Sequence, residues 1–465
     1  MNRRSTLFIV FVVCFMGSVH QVQANRASNR YLTQFEQPAS YFMPAKDNYA
    51  LSASLFYTMA SSAGSRAGGK AGVSELWGKY DLKDVIDSYV AVTGADNPAQ
   101  KIDPSLIDQS IKFKLGGGVR TAGVMLGGNW TYYSKIVDRP ATKDKPANKR
   151  SRHFSCGFSL PVMHVNSNVR YTFDAKEPSL GVARLIQAYG LDRATGMVDV
   201  DRGTDMAART ADLLRRTTHD LVPTGLKTNT LSGSYLGDLN IFLRGTRYYD
   251  HVWLFKGISW TGECGVMLPT STMASAQNRW HPGAIPVGNN GHWGFTFENL
   301  VAFELKQDIT VGLMYCGSIF MSHTAERRLP VGSEPAPWSS LMGKVRVQDG
   351  GYFKLSPFLK LGNMADGLDF ELRYSYLRHG RDVWTDERPD KATFQSFLQK
   401  DSAVISAFEK LTSWRGHFAS FTLQYTPKPS KEHIKFAPRF FLSYDMPISC
   451  RGMSNVYTVN LGMTF

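Results

Sequence analysis

The pair His153-Phe154-Ser155 is the part of the chain best suited to nucleophilic chemistry. An imidazole beside a hydroxyl can take its proton for attack on an acyl carbon. Catalysis would also need a third group to orient the histidine, and no spacing supplies one. Asp199, Asp201, His219 and Asp220 offer carboxylate and imidazole ligands, yet their spacing matches no metal-binding loop, so they read as a solvated loop. Gly116-Gly117-Gly118 reads as a turn, since no helix and no Gly-Lys-Ser pattern follows to cradle a phosphate. Cys156, Cys264, Cys316 and Cys450 are scattered without a Cys-x-x-Cys pair. They define no metal site, and the sequence does not pair them as disulfides. No catalytic, cofactor-binding or metal-binding residue follows from any of these groups.

The remaining candidates are charges that recur with period two, the spacing of one face of a strand. Lys112, Lys114, Arg170, Arg244, Glu263, Glu298, Lys354, Asp369, Glu371, Arg373 and Arg439 fall on polar faces. Asp108, Asp174, Asp238, Glu304, Lys360 and Lys435 extend the set. Opposite them stand apolar faces, clearest in Tyr457, Val459, Leu461, Met463 and Phe465, between which lie Thr458, Asn460, Gly462 and Thr464. A strand polar on one face and apolar on the other fits a barrel with water or mutual pairing inside and lipid outside. A lysine or arginine turned to lipid at mid-membrane would cost roughly 2–4 kcal/mol.

The alternation predicts strands at 49–59, 107–115, 121–133, 153–162, 168–174, 236–246 and 256–268. It continues at 293–305, 308–320, 350–361, 367–378, 415–426, 434–444 and 456–465. The expected fold is all-β, a transmembrane antiparallel barrel of about 14 strands, within a range of roughly 12–16. Short inner turns are expected at 116–120, 163–167, 247–254, 306–307, 362–367 and 427–433. Long outer links are expected at 60–106, 134–152, 175–235, 269–292, 321–349 and 379–414, with a shorter one at 445–455.

Met1 is followed by Arg3, Arg4 and an apolar run from Leu7 to Met16, and a small residue, Ala24, ends the polar stretch after it. These are the parts of a secretory signal peptide, expected to cover 1–24. Residues 25–48 then form a periplasmic N-terminal segment and 49–465 the barrel. The chain carries 53 basic and 39 acidic residues, a formal charge of +14. For an exported protein the nearer partner of that charge is the anionic envelope rather than nucleic acid.

The closing segment, with Tyr457 and Phe465 at its ends, resembles the final strand of Gram-negative outer-membrane β-barrel proteins. The resemblance implies that this strand is read by the barrel assembly machinery, that both termini are periplasmic and that the barrel is porin-like. His153-Phe154-Ser155 is similar to the His-x-Ser pair of outer-membrane phospholipases, but Cys156-Gly157 follows where that family continues Asn-Gly-Arg. Fourteen strands are also similar to the fatty-acid transporters of the superfamily, whose plug carries Asn-Pro-Ala. Here Asn97-Pro98-Ala99 falls within the first outer link instead. The expected function is passive diffusion of small hydrophilic solutes, without a cofactor, in contact with outer-membrane lipid and lipopolysaccharide. The alternatives are a structural or adhesive barrel, or a transporter of hydrophobic solutes. The long, partly helical link 175–235 is expected either to narrow the pore, with Arg209, Arg215 and Arg216 favouring anions, or to form an external surface.

Overall fold

The computed structural model describes residues 49–73, 76, 80–81, 112–139, 148–174, 197–199, 231–252, 254–271, 287–306, 308–329, 342–388, 401–427 and 438–464. The leader, Asn97-Pro98-Ala99, Asp108, Asp201, Arg209, Arg215, Arg216, His219, Asp220, Lys435 and Phe465 lie outside the described residues.

A strand with two unlike faces needs neighbours of the same pattern on both sides. Twelve strands supply one another with such neighbours. They are β1 Tyr49–Ala60, β2 Lys112–Arg139, β3 Asn148–Asp174, β4 Leu239–Val252, β5 Phe255–Leu268 and β6 Gly294–Lys306. The series continues with β7 Ile309–Phe320, β8 Tyr352–Ala365, β9 Leu368–His379, β10 Trp414–Tyr425, β11 Arg439–Arg451 and β12 Tyr457–Thr464. Each pairs antiparallel with the next in chain order, and β12 returns to β1 with Leu461 opposite Leu55. The ring is closed, so its strands keep their backbone hydrogen bonds within the sheet and present no edge.

Twelve is fewer than the fourteen alternating segments because two expected turns are strand interior. Residues 116–120 lie within β2 and 163–167 within β3, and the two runs pair with each other, Gly116 opposite Arg170 and Gly118 opposite Asn168. A glycine run favours a turn over a strand interior, and here an equally long partner outweighs that preference. The link between β2 and β3 therefore lies at the end of the short turns, because Arg139 and Asn148 are partners there. It was expected at the other end. Both strands overrun the ring at the long-link end, where 80–81 pairs with β2, and 197–199 and 231–236 pair with β3.

Only two residues separate β4 from β5, β6 from β7 and β8 from β9. The opposite end carries the long links, and several of these build structure of their own. Strands His323–Arg328, Met342–Gln348 and Val383–Asp386 form a separate three-stranded sheet. Helix α1, Asp401–Thr412, packs beside it, with Phe408 edge-on to Trp384 at 4.6 Å. Glu409 fixes this helix by accepting hydrogen bonds from the Trp384 amide and from Arg381, both at 2.7 Å.

Candidate functional site

Strand parity decides which side chains enter the barrel. On β4, Asn240, Phe242, Arg244 and Thr246 are buried inside, while Ile241 and Leu243 are exposed outside. The inner charges gather on β4 to β9. Arg244 stands opposite Glu263, Glu263 opposite Glu298, Glu298 opposite Cys316 and Cys316 opposite Lys354. Arg244 donates to Glu263 Oε2 through Nη2 at 2.7 Å and Nε at 3.0 Å, and both side chains are almost wholly buried. The Arg244 guanidinium also lies over the Phe242 ring at 4.9 Å. Further toward the turns, Lys360 pairs with Asp369 at 2.7 Å, and Arg373 donates to Glu371 through Nε at 3.1 Å. The other half of the interior is rich in hydroxyls and amides, with Ser54, Thr58, Thr121, Ser159, Thr458 and Asn460 all buried. Asp445 and the half-buried Arg439 are the inner charges of β11.

Glycines keep the inward aromatic rings against the wall. Phe56 faces Gly123, Phe242 faces Gly157, Phe320 faces Gly294, Phe358 faces Gly312 and Phe441 faces Gly462, each directly across a strand pair. A methyl group on any of these glycines would come within 3.0 Å of the opposing ring. The rings therefore fill the space above the bare backbone instead of projecting toward the barrel axis.

Lys112, Lys114 and Arg170, also expected on the inner face, lie where β2 and β3 run past the last residue of β1, Ala60, which pairs with Val119. They belong to the ribbon above the ring rather than to its wall. His153 bonds across the strand pair to Ser134 Oγ at 3.0 Å, and Ser155 is buried on β3. The hydroxyl that His153 bonds is thus that of Ser134 on the neighbouring strand. The four cysteines are free thiols on β3, β5, β7 and β11.

At the long-link end, a buried polar group holds the mouth together, and strand periodicity could not reveal how it assembles because Asp349, Asp382 and His292 lie in the links. His379, the last residue of β9, bonds Asp349 at 3.1 Å, approaches Asp382 at 3.8 Å and stacks on Trp414. Burial alone would raise the Asp349 carboxyl. The imidazoles of His379 and His292 and the Gly351 amide more than offset that and hold it below the usual carboxylate range. His292 bonds the Met321 carbonyl at 2.8 Å, and burial lowers its pKa. Asp238 accepts the Ser271 amide at 2.9 Å and the Asn289 amide at 2.5 Å, and burial raises its carboxyl. Asp238→Ala removes the acceptor from two buried amides, at about 1–3 kcal/mol each. Faster hydrogen exchange across 287–292 is expected, and unchanged protection there would exclude this anchoring role.

The exterior decides what kind of barrel this is. Leu51, Leu55, Leu126, Phe158, Leu243 and Leu461 are exposed on it, as are apolar residues of the strands between them. Trp130, Tyr425 and Phe440 border this band toward the short turns, and Tyr57, Tyr374 and Tyr457 toward the long links. A closed antiparallel ring, apolar outside, polar inside and girdled by aromatics, has lipid as its outer solvent. This chain is a transmembrane β-barrel. Among the described residues no helix is long and apolar enough to cross a membrane.

No family model matches the barrel's sequence, and no curated protein does either. Solved structures similar to it include an outer membrane channel from Pseudomonas putida F1, at 10% identity over 92% of this chain and 99% of that one, with a TM-score of 0.46. The outer membrane protein OprD from Pseudomonas aeruginosa is similar at 8% identity over 94% and 96%, with a TM-score of 0.25. The translocator domain of the autotransporter NalP from Neisseria meningitidis is similar at 8% identity over 92% and 91%, also with a TM-score of 0.25.

Proposed function

We propose that the barrel is a passive channel for small hydrophilic solutes. The observation that carries this reading is the inner face of β4–β9, which turns Arg244, Glu263, Glu298, Lys354, Glu371 and Arg373 into the ring and away from lipid. Two groups of charge on one wall, facing a wall of hydroxyls and amides, create a field across the barrel. Charged side chains that line a pore select among ions. Barrels of about eight strands are just filled by their own side chains, and twelve give a wider bore. Aromatic rings held flat over glycines leave that bore less obstructed.

Within this reading, the link 175–235 narrows the passage and Arg209, Arg215 and Arg216 favour anions there. Lipid contact on the outside and delivery by the barrel assembly machinery complete the expected partners. The test is single-channel recording from refolded protein in a planar bilayer. Discrete ion conductance is expected, and excision of 180–230 should widen the channel and reduce its preference for anions. A barrel that folds, inserts and passes no ions would reject the channel. It would favour the structural or adhesive alternative.

A further inference from the structure

The outward face of β9, β10 and β11 carries a row of three arginines at the long-link end. Arg378 stands directly opposite Arg415, and Arg415 directly opposite Arg451. All three are exposed. Among the described residues none of them has a carboxylate partner. Carboxylates of the neighbouring links are engaged elsewhere: Asp349 with His379, Glu409 with Arg381, Asp386 with Arg388 and Glu387 with Arg346.

Like charges directly opposite on one face destabilise a strand pair. Here that penalty arises twice in succession, on rigid strands that give the side chains nowhere else to root. An anion lying across the row would turn the repulsion into attraction. With strands about 4.8 Å apart, the outer two arginines root about 10 Å from each other. Their forked guanidinium groups match phosphate oxygens two at a time.

What lies beneath the row indicates the kind of phosphate. One step toward the membrane stand Tyr376, His417 and Ser449, which are cross-strand partners. The Tyr374 hydroxyl bonds His417 at 2.6 Å, and the Tyr376 ring lies 5.0 Å from the imidazole. Below them Leu372, Phe421 and Tyr444 face the lipid. The arginines thus stand at headgroup height, directly above an aromatic girdle and an acyl-chain wall. A free phosphate would use only the top of this surface, whereas a phosphorylated lipid uses all of it.

We propose that Arg378, Arg415 and Arg451 form a binding site for the phosphates of an outer-leaflet glycolipid, the lipid A portion of lipopolysaccharide. The inference rests on the reading of the barrel as a Gram-negative outer-membrane protein and is independent of whether it conducts. A second basic row supplies an internal control. Lys135, Arg152 and Arg247 are likewise exposed cross-strand partners, but at the short-turn end, where the inner leaflet lies.

The experiment uses the refolded full-length barrel in detergent, with purified bis-phosphorylated lipid A as the probe and native mass spectrometry as the readout. Wild-type protein should retain lipid A and release its dephosphorylated form. R378Q/R415Q/R451Q should weaken retention on the order of tenfold or more, since three charge-assisted contacts are lost. K135Q/R152Q/R247Q should bind as wild type. If the triple variant fails to show the heat-shifted mobility of a folded barrel, the single Arg415→Gln change carries the test, with a smaller loss expected. Three results would overturn the proposal: undiminished binding by every folded arginine variant, equal binding of dephosphorylated lipid A, or equal loss in the control variant. Conductance of the same preparations is scored separately. A barrel that binds lipid A and passes no ions rejects the channel while the lipid site stands.

Discussion

Glu263→Ala is expected to lower the stability of the folded barrel by about 3–5 kcal/mol, the usual consequence of removing one partner from a buried ion pair. Arg244 loses the carboxylate that accepts two of its N–H groups, in a place where both side chains are shielded from bulk water. The loss exceeds the value of the contact itself, because an ionised guanidinium is left with a poorer environment than either water or its partner provided. The measurement is the denaturant midpoint followed by gel mobility without boiling. A double change, Glu263→Ala with Arg244→Leu, should recover much of the loss, since a buried pair can be exchanged for apolar groups at little cost. Should Glu263→Ala leave the midpoint unchanged, the pair is solvated in the membrane and its burial has no energetic weight.

The second large effect is expected at Gly462. A methyl group there would collide with the Phe441 ring and come within 2.6 Å of the Ser54 side chain. Neither neighbour is backbone, so the ring can yield, and the open direction is toward the barrel axis. Gly462→Ala should therefore cost about 1–3 kcal/mol from overpacking and, in the channel reading, lower the single-channel conductance. Adding Phe441→Ala should restore conductance without restoring stability, because the obstruction goes while the apolar contact stays lost. If the double variant conducts no better than Gly462→Ala, the ring never entered the passage. The two readouts separate what the ring does for packing from what it does to the passage.

The strands of the ring were legible because their alternation is forced by two solvents at once. Ile241 and Leu243 outside, with Asn240 and Arg244 inside, could not exchange faces without placing charge in lipid. The limits of β2 and β3 were not legible, since Gly116–Gly118 and residues 163–167 carry the composition of turns and only a long-range partner reveals their pairing. Inner charges such as Arg244, Glu263 and Glu371 could be assigned to a face from parity. Which carboxylate meets which guanidinium required the register. The group around His379 left no periodic trace at all, because Asp349, Asp382 and His292 come from three different links.

The phenylalanine–glycine pairs bear on a different problem, namely how the chain finds one alignment among several. Alternation rejects a slip of one residue, which would turn every side chain to the wrong face. It is blind to a slip of two, which restores the faces. Strands joined by a two-residue connection have little freedom to make that error. Four of the five inward pairs, Phe56–Gly123, Phe242–Gly157, Phe358–Gly312 and Phe441–Gly462, sit instead on strand pairs joined across the long-link end. A two-residue slip at any of them moves the ring off its glycine and onto a residue that carries a side chain. These pairs act as a vernier for the barrel, reading alignment to the residue where the connecting loops cannot.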